Sequence, residues 1–410
     1  MKIKLIFCLI LMEASLTAQL ILKPEGDSLI TYYYRGGDEF NGTSLNGNMW
    51  SNGLGWTRVI MSQELAFSPN KVKVEKGLLG LIANKEDSIY VLHPWEIDSA
   101  WLKKNHAGLD GNRFTTHYSA GCVITKEKYH YGLYEVRFRV EEGRGAWPAF
   151  WFYGGNKSEE IDAFELKGEK SNRIHVDTHC PDGCDNYRKG LFKKNYGGWM
   201  KVNGNIQEGF LTMQLEWLPD EVRWYLNGHP VAYFKGRFDH PMNIYLNTSV
   251  AKNGGSFKPG PDEKTRWPNI FLVDYIRIYE RGLPGGAHEV RDEFNRKAQP
   301  DLAVNGSLDE SDLYPSADDL APAKRRGYMY NKKLFRGQPG MVRLNLQPDD
   351  HLKITLLGFP GTATVRIEGN DKTVSGEGFI QLKPGGRQIR LILETGGKVY
   401  SKIISTGNKK

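Results

Sequence analysis

The sequence predicts an all-β protein: a sandwich or barrel of antiparallel strands, followed by a second and smaller β sandwich. Three observations predict it. Short stretches alternate apolar and polar residues with period two from about residue 38 to 280 and again after 326; clusters of Gly, Pro, Asn and Asp separate them; and no long helical pattern interrupts. The 46 Gly and 12% aromatic residues agree with a turn-rich β protein that binds something flat. At 410 residues the chain is long enough for one large core and a smaller one.

Residues 1–18 read as a signal peptide. Lys2 and Lys4 precede an apolar run from Leu5 to Met12, and small residues lead to a cleavage site after Ala18. The run is far short of the ~20 residues that span a bilayer, so the expectation is export to the outside or the cell surface, with no membrane span. Cys8 leaves with the leader. Cys122, Cys180 and Cys184 remain, an odd count that supplies no disulfide framework. Cys180 and Cys184 enclose the turn CPDGC, where a disulfide and two free thiols both stand open.

The large unit is expected over 19–280. Its clearest strands are YGLYEVRFRV at 131–140, FLTMQLEWL at 210–218, VRWYLNG at 222–228 and FLVDYIRIYE at 271–280. Two packed sheets bury one face of each. Between 281 and 326 the pattern fails in a polar segment read as a linker. From 327 to 410 the stretches MVRLNLQ, HLKITLLGF, ATVRIEG, RQIRLILE and KVYSKIIS give about five strands of a small β domain. Lys and Arg exceed Asp and Glu by 55 − 48 = 7, with no Lys/Arg run of nucleic-acid type. A local basic cluster, Arg188, Lys189, Lys193, Lys194 and Lys201, suits either a solvated face or an anionic polymer.

The chemistry concentrates in EEIDAFELKG, 159–168. Like charges on one strand repel, so a purely structural sheet would not gather them, whereas a glycosidase needs two carboxyls facing one cleft. Side chains alternate along a strand, so Glu160 and Asp162 share a face but Glu165 stands at an odd offset. A bulge near Ala163 or Phe164 would return Glu165 to the cleft. Two Glu side chains leaning together across roughly 13 Å of strand then approach the ~5–5.5 Å spacing of a retaining mechanism. Asp162 between them couples the three titrations.

The segment EIDAFE at 160–165 resembles the ExDxxE signature of glycoside hydrolase family 16. The resemblance covers 38–280 and includes DEFNG at 38–42, YGLYEVRFR at 131–139, GRGAWPAFW at 143–151, RIHVDTH at 173–179, LEWLPDEVRWYLNG at 215–228 and VDYIRIYE at 273–280. It implies a β-jelly roll with a concave, open groove and endo-action on a polysaccharide. Glu160 is then the nucleophile, Asp162 its partner and Glu165 the acid/base. Trp147 and Trp151 are candidates for stacking sugar rings, with core packing the alternative. His175 and His179 lie near the cleft, and His179 is favoured as a partner of the acid or the sugar. Glu39 and Asp274 correspond to positions beside a structural calcium in some members; catalysis itself needs no cofactor.

Many laminarinases read EIDIME where this chain has Ala163 and Phe164, so the polymer stays open between a β-1,3-glucan and an algal galactan. The last stretch resembles the C-terminal sorting domains of exporting Bacteroidetes and equally a carbohydrate-binding sandwich, with an inert stabilising module third, so an export or cell-surface attachment system acting through this domain is an expected partner. Two other readings of the scaffold are a catalytically inactive polysaccharide-binding protein, against which the intact Glu160 and Glu165 speak, and a transglycosylase.

Overall fold

A computed structural model describes residues 18–55, 65–94, 109–154, 159–179, 195–202, 204–255, 257–282, 340–347, 350–383 and 388–406. The leader before Ala18, the CPDGC turn with Cys180 and Cys184, four residues of the basic cluster and nearly all of the linker lie outside them. The named elements among the described residues are strands and one 3-10 turn at Pro69–Lys71. None holds a helix long and apolar enough to cross a membrane.

Two sheets face each other across the main core. The first is seven-stranded and antiparallel, in the order Asn195–Lys201, Arg173–His179, Glu159–Glu165, Ala146–Gly154, Met242–Val250, Cys122–Thr125 and Trp50–Asn52. The second includes Leu211–Leu218, Gly132–Val140 and the long strand Asn269–Arg281 as neighbours. Their inward positions follow the expected period: Tyr134, Val136, Phe138 and Val140 from one sheet meet Phe150, Phe152, Ile161 and Phe164 from the other in a single apolar cluster. This is the all-β sandwich of jelly-roll type that the sequence predicts. Cys122 is a free, buried thiol that packs as a small apolar residue.

The outward face of the second sheet is not solvated. Glu135, Thr212, Gln214 and Glu216 alternate with the core residues and are also fully buried. What covers them crosses the expected division of the chain. The strand Ala18–Glu25, assigned to the large unit at 19–280, pairs on one side with Ser28–Asp38 and on the other with Met341–Leu346 of the C-terminal unit. Its pleat divides its side chains between two clusters. Leu20 and Leu22 enter the C-terminal core with Val342, Leu344 and Ile354, while Ile21 packs with Leu133, Tyr225 and Tyr279 of the large unit. The C-terminal unit is thus a sandwich completed by the N-terminal strand. It contains the five expected strands and two more, Thr373–Val374 and Glu377–Gln381.

Candidate active site

The strand Glu159–Glu165 is third in the seven-stranded sheet. Against Ala146–Gly154, Phe150 pairs with Phe164 but Trp151 pairs with Asp162, so Ala163 is the extra residue; the partner on the other side shows the same break between Asp162 and Glu165. The bulge the acid spacing calls for is therefore in place. Ile161, Ala163 and Phe164 all point into the core, and Phe164 stacks on Phe138 with centroids 4.3 Å apart. Glu160, Asp162 and Glu165 share the opposite face. From the facing sheet, Trp224 Nε1 donates to the Asp162 carbonyl at 2.9 Å, which satisfies a backbone group beside the irregularity.

The next strand lays a second row beside the acids. Its register sets His179 opposite Glu160, Asp177 opposite Asp162 and His175 opposite Glu165. His179 Nε2 lies 3.3 Å from Asp162 Oδ2 and 3.6 Å from Asp177 Oδ2, so it bridges two carboxylates. His175 Nδ1 lies 2.9 Å from Glu165 Oε2. His175, and not the favoured His179, is thus the partner of the expected acid/base.

Asp177 is a site residue the sequence reading missed. The signal was its parity with the two histidines, since 175, 177 and 179 alternate onto one face. Its carboxylate accepts the Thr178 N–H at 2.7 Å and lies over Gly197, where a Cβ would stand 2.2 Å from its Cγ. Only glycine at 197 leaves room for it.

Burial sets the electrostatics. It pushes the carboxyls of Glu160 and Asp162 well up from their ordinary values; repulsion from Asp162 adds to this for Glu160, and repulsion from Glu165 and Asp177 for Asp162. The two carboxyls therefore titrate as a coupled pair that holds its protons more tightly than free carboxyls do. Asp177 is raised too, by burial, with His179 and His175 pulling the other way.

Both tryptophans stand on the site face but are largely covered. Trp147 is 7% exposed, stacks on Phe257 at 4.1 Å and 2°, and donates Nε1–H to Glu165 Oε1 at 3.0 Å. Trp151 is 8% exposed, stacks on Tyr245 at 4.4 Å and donates to Asn247 Oδ1 at 2.7 Å. Core packing and hydrogen bonding thus occupy much of each indole. Trp199 and Phe257 flank His175 beside Glu165, and Lys167 Nζ lies 5.5 and 5.4 Å from their ring centroids.

Glu39 and Asp274 do not fit a calcium cage. Arg277 forks onto both Glu39 oxygens at 2.8 and 2.9 Å, and Arg137 donates to Asp274 Oδ2 at 2.7 Å. Each carboxylate faces a guanidinium, whereas a hard cation needs six to eight oxygens without a competing positive charge.

Comparison with known proteins bears on the family and the fold. The family model for glycosyl hydrolases family 16 matches residues 62–269, half of the chain. A beta-glucanase from Rhodothermus marinus is 27% identical over 201 residues, which cover 43% of this chain and 66% of that protein. A glucan endo-1,3-beta-glucosidase from Cryptopygus antarcticus is 27% identical over 267 residues, 58% of this chain and 89% of that protein. Among solved structures, the catalytic domain of an endo-1,3-beta-glucanase (laminarinase) from Thermotoga petrophila superposes with a TM-score of 0.50 at 24% identity, over 63% of this chain and 100% of that one, a likeness of fold.

Proposed function

The chain belongs to glycoside hydrolase family 16, and from that premise we propose that it cleaves a β-linked polysaccharide internally, by double displacement with retention at the anomeric carbon. The observation that carries the reading is the bulge at Ala163, which sets Glu160 and Glu165 on one face with Asp162 between them. Glu160 attacks C1 while Glu165 protonates the departing glycosidic oxygen; Glu165 then draws a proton from water as the water oxygen displaces Glu160 from C1. Asp162 carries the proton it shares with Glu160, leaving an anionic oxygen on the nucleophile. The reaction needs no metal or organic cofactor in this scheme.

A β-1,3-glucan is the proposed substrate, supported by what two of the relatives are named for. A release assay across laminarin, mixed-linkage glucan, agarose, porphyran and carrageenans tests it. Laminarin oligosaccharides of several lengths at early times are expected, with no release from the galactans; release from a galactan alone would replace the glucan. Export through the leader, and attachment or carbohydrate binding by the C-terminal unit, complete the proposal.

Trp147→Phe keeps the stacking on Phe257 and removes the N–H that Glu165 Oε1 accepts. A hydrogen bond to a charged group contributes about 1.5–3 kcal/mol, so kcat is expected to fall roughly tenfold or more with KM little changed. Unchanged kcat would show that this contact does not bear on the acid/base.

A further inference from the structure

Resting on the reading of Glu165 as acid/base, we propose that His175 is its positioning residue: through Nδ1 it holds the transferable proton of Glu165 on Oε2 and steadies the carboxylate once that proton has gone. Four observations carry this. The two oxygens of Glu165 have different partners. Oε1 accepts the Trp147 N–H, and an indole nitrogen only donates, so the proton of the acid form belongs on Oε2. Oε2 lies 2.9 Å from His175 Nδ1, and the side chains of both residues are only 14% exposed.

The alignment is built in by the bulge. One residue more or fewer at Ala163 would take Glu165 off the face His175 occupies, since the break in register is what sets these two opposite each other. The imidazole is also fixed from outside, tilted against Trp199 at 5.0 Å and edge-on to Phe257 at 5.5 Å and 87°.

An imidazole suits both halves of the reaction because its two neutral tautomers offer an acceptor or a donor at the same atom. While Glu165 is the acid, its Oε2–H donates to Nδ1. In the first half-reaction that proton passes to the glycosidic oxygen as the C1–O bond breaks and the Glu160–C1 bond forms. Glu165 is then a carboxylate; the ring gives its Nε2 proton to water and takes one from water at Nδ1, a change reversed when Glu165 is reprotonated, and this Nδ1–H tautomer donates to Oε2. In the second, the carboxylate takes a proton from water as the water oxygen bonds to C1 and the Glu160–C1 bond breaks. Glu165 ends protonated, and the ring gains and loses no net proton.

The test separates help given to proton transfer from general support of the fold. His175→Leu and His175→Asn, the latter keeping a hydrogen-bonding atom near the place of Nδ1, are assayed on laminarin, or whichever polymer the release assay selects. The same variants are assayed on the 2,4-dinitrophenyl glycoside of its disaccharide, whose leaving group departs without protonation. General acid–base help is typically worth 10²–10⁴-fold, and loss of its positioning is expected to forfeit part of that: about 30-fold or more in kcat on the polymer for His175→Leu, with KM within about threefold. On the dinitrophenyl glycoside the glycosylation step is expected within about threefold of wild type, and His175→Asn is expected to recover at least about fivefold on the polymer.

Equal losses on both substrates, or no loss on the polymer, would overturn the proposal. If the Leu variant does not fold, the Asn variant read on both substrates decides by the same ratio. Glu165→Ala is the control for the premise. If it too loses activity equally on both substrates, the acid/base assignment fails; if it shows the leaving-group dependence and the His175 variants do not, only the role of His175 fails.

Discussion

Glu160→Gln is expected to lower turnover of the polymer by at least about 1,000-fold, on the order of 4 kcal/mol of transition-state stabilisation, while the inactive protein still binds the polymer. The amide has nearly the shape of the carboxylate, so the groove is preserved, but it cannot form the covalent bond to C1. Pull-down on insoluble polymer and reducing-sugar release measure the two halves of the result. Residual activity above about one percent of wild type would remove Glu160 from the nucleophile's role.

The same substitution is expected to stabilise the fold. Burial, joined by repulsion from Asp162, raises the Glu160 carboxyl, so the folded chain holds that proton more tightly than the unfolded chain does. The sign follows by linkage. Above the raised folded value, the ionised group costs stability; as pH falls through that value the cost shrinks, and below the ordinary carboxylate range it is gone. Glu160→Gln should therefore gain on the order of 1 kcal/mol, about 2 °C in melting temperature, at pH 8, and little at pH 4. A melting temperature lower at pH 8 than that of wild type would contradict the electrostatics assigned to this face.

How much of this was legible in the sequence depends on distance along the chain. The bulge was, because Glu160, Asp162 and Glu165 share one short segment and their chemistry demands one face, so the odd offset forced a phase break that Ala163 supplies. The contacts of Trp147 and His175 were only half legible. Period two placed each on the site face, but which acid it meets depends on inter-strand register, and nothing within RIHVDTH fixes that against EIDAFE. Asp177 was passed over because it stands among better-known residue types. Glu39 and Asp274 misled because Arg137 and Arg277, which neutralise them, do so through strand pairing invisible to a motif. The partnership of Leu20 and Leu22 with Val342 and Leu344 was beyond reach. Both segments read as half-buried strands, and no periodicity says that residues more than 300 apart are neighbours.

That partnership makes the C-terminal unit a load on the fold of the whole protein. Ending the chain at Arg281 is expected to yield no stably folded hydrolase. Leu20, Leu22, Leu29 and Tyr33 would lose the C-terminal core against which they are buried, at about 1.5–3 kcal/mol for each large apolar side chain, a sum comparable with the 5–15 kcal/mol that holds a typical domain. The cut would also strip charge from a buried layer. Burial alone would raise Glu135, but Arg343, 2.8 Å away across the boundary, and then Arg277 draw it below its ordinary range.

A milder form isolates this ion pair. Arg343→Met in the full chain leaves Glu135 buried without its closest guanidinium, and removing one partner of a buried pair typically costs about 3–5 kcal/mol. Its activity below the melting transition should match wild type, because Arg343 belongs to the sheet opposite the one that bears the acids. Backbone contact at the boundary points the same way. A Cβ at Gly358 would stand 2.2 Å from the carbonyl carbon of Gly228, so the two backbone segments touch where both residues have positive φ, and any larger residue would force them apart. A sorting tag or a binding module on a flexible tether would be dispensable for folding. If the truncated chain is soluble, active on polymer and melts within about 2 °C of the full protein, the unit is such a tether; if it aggregates and Arg343→Met melts early with normal turnover, the C-terminal unit is one that the hydrolase cannot fold without.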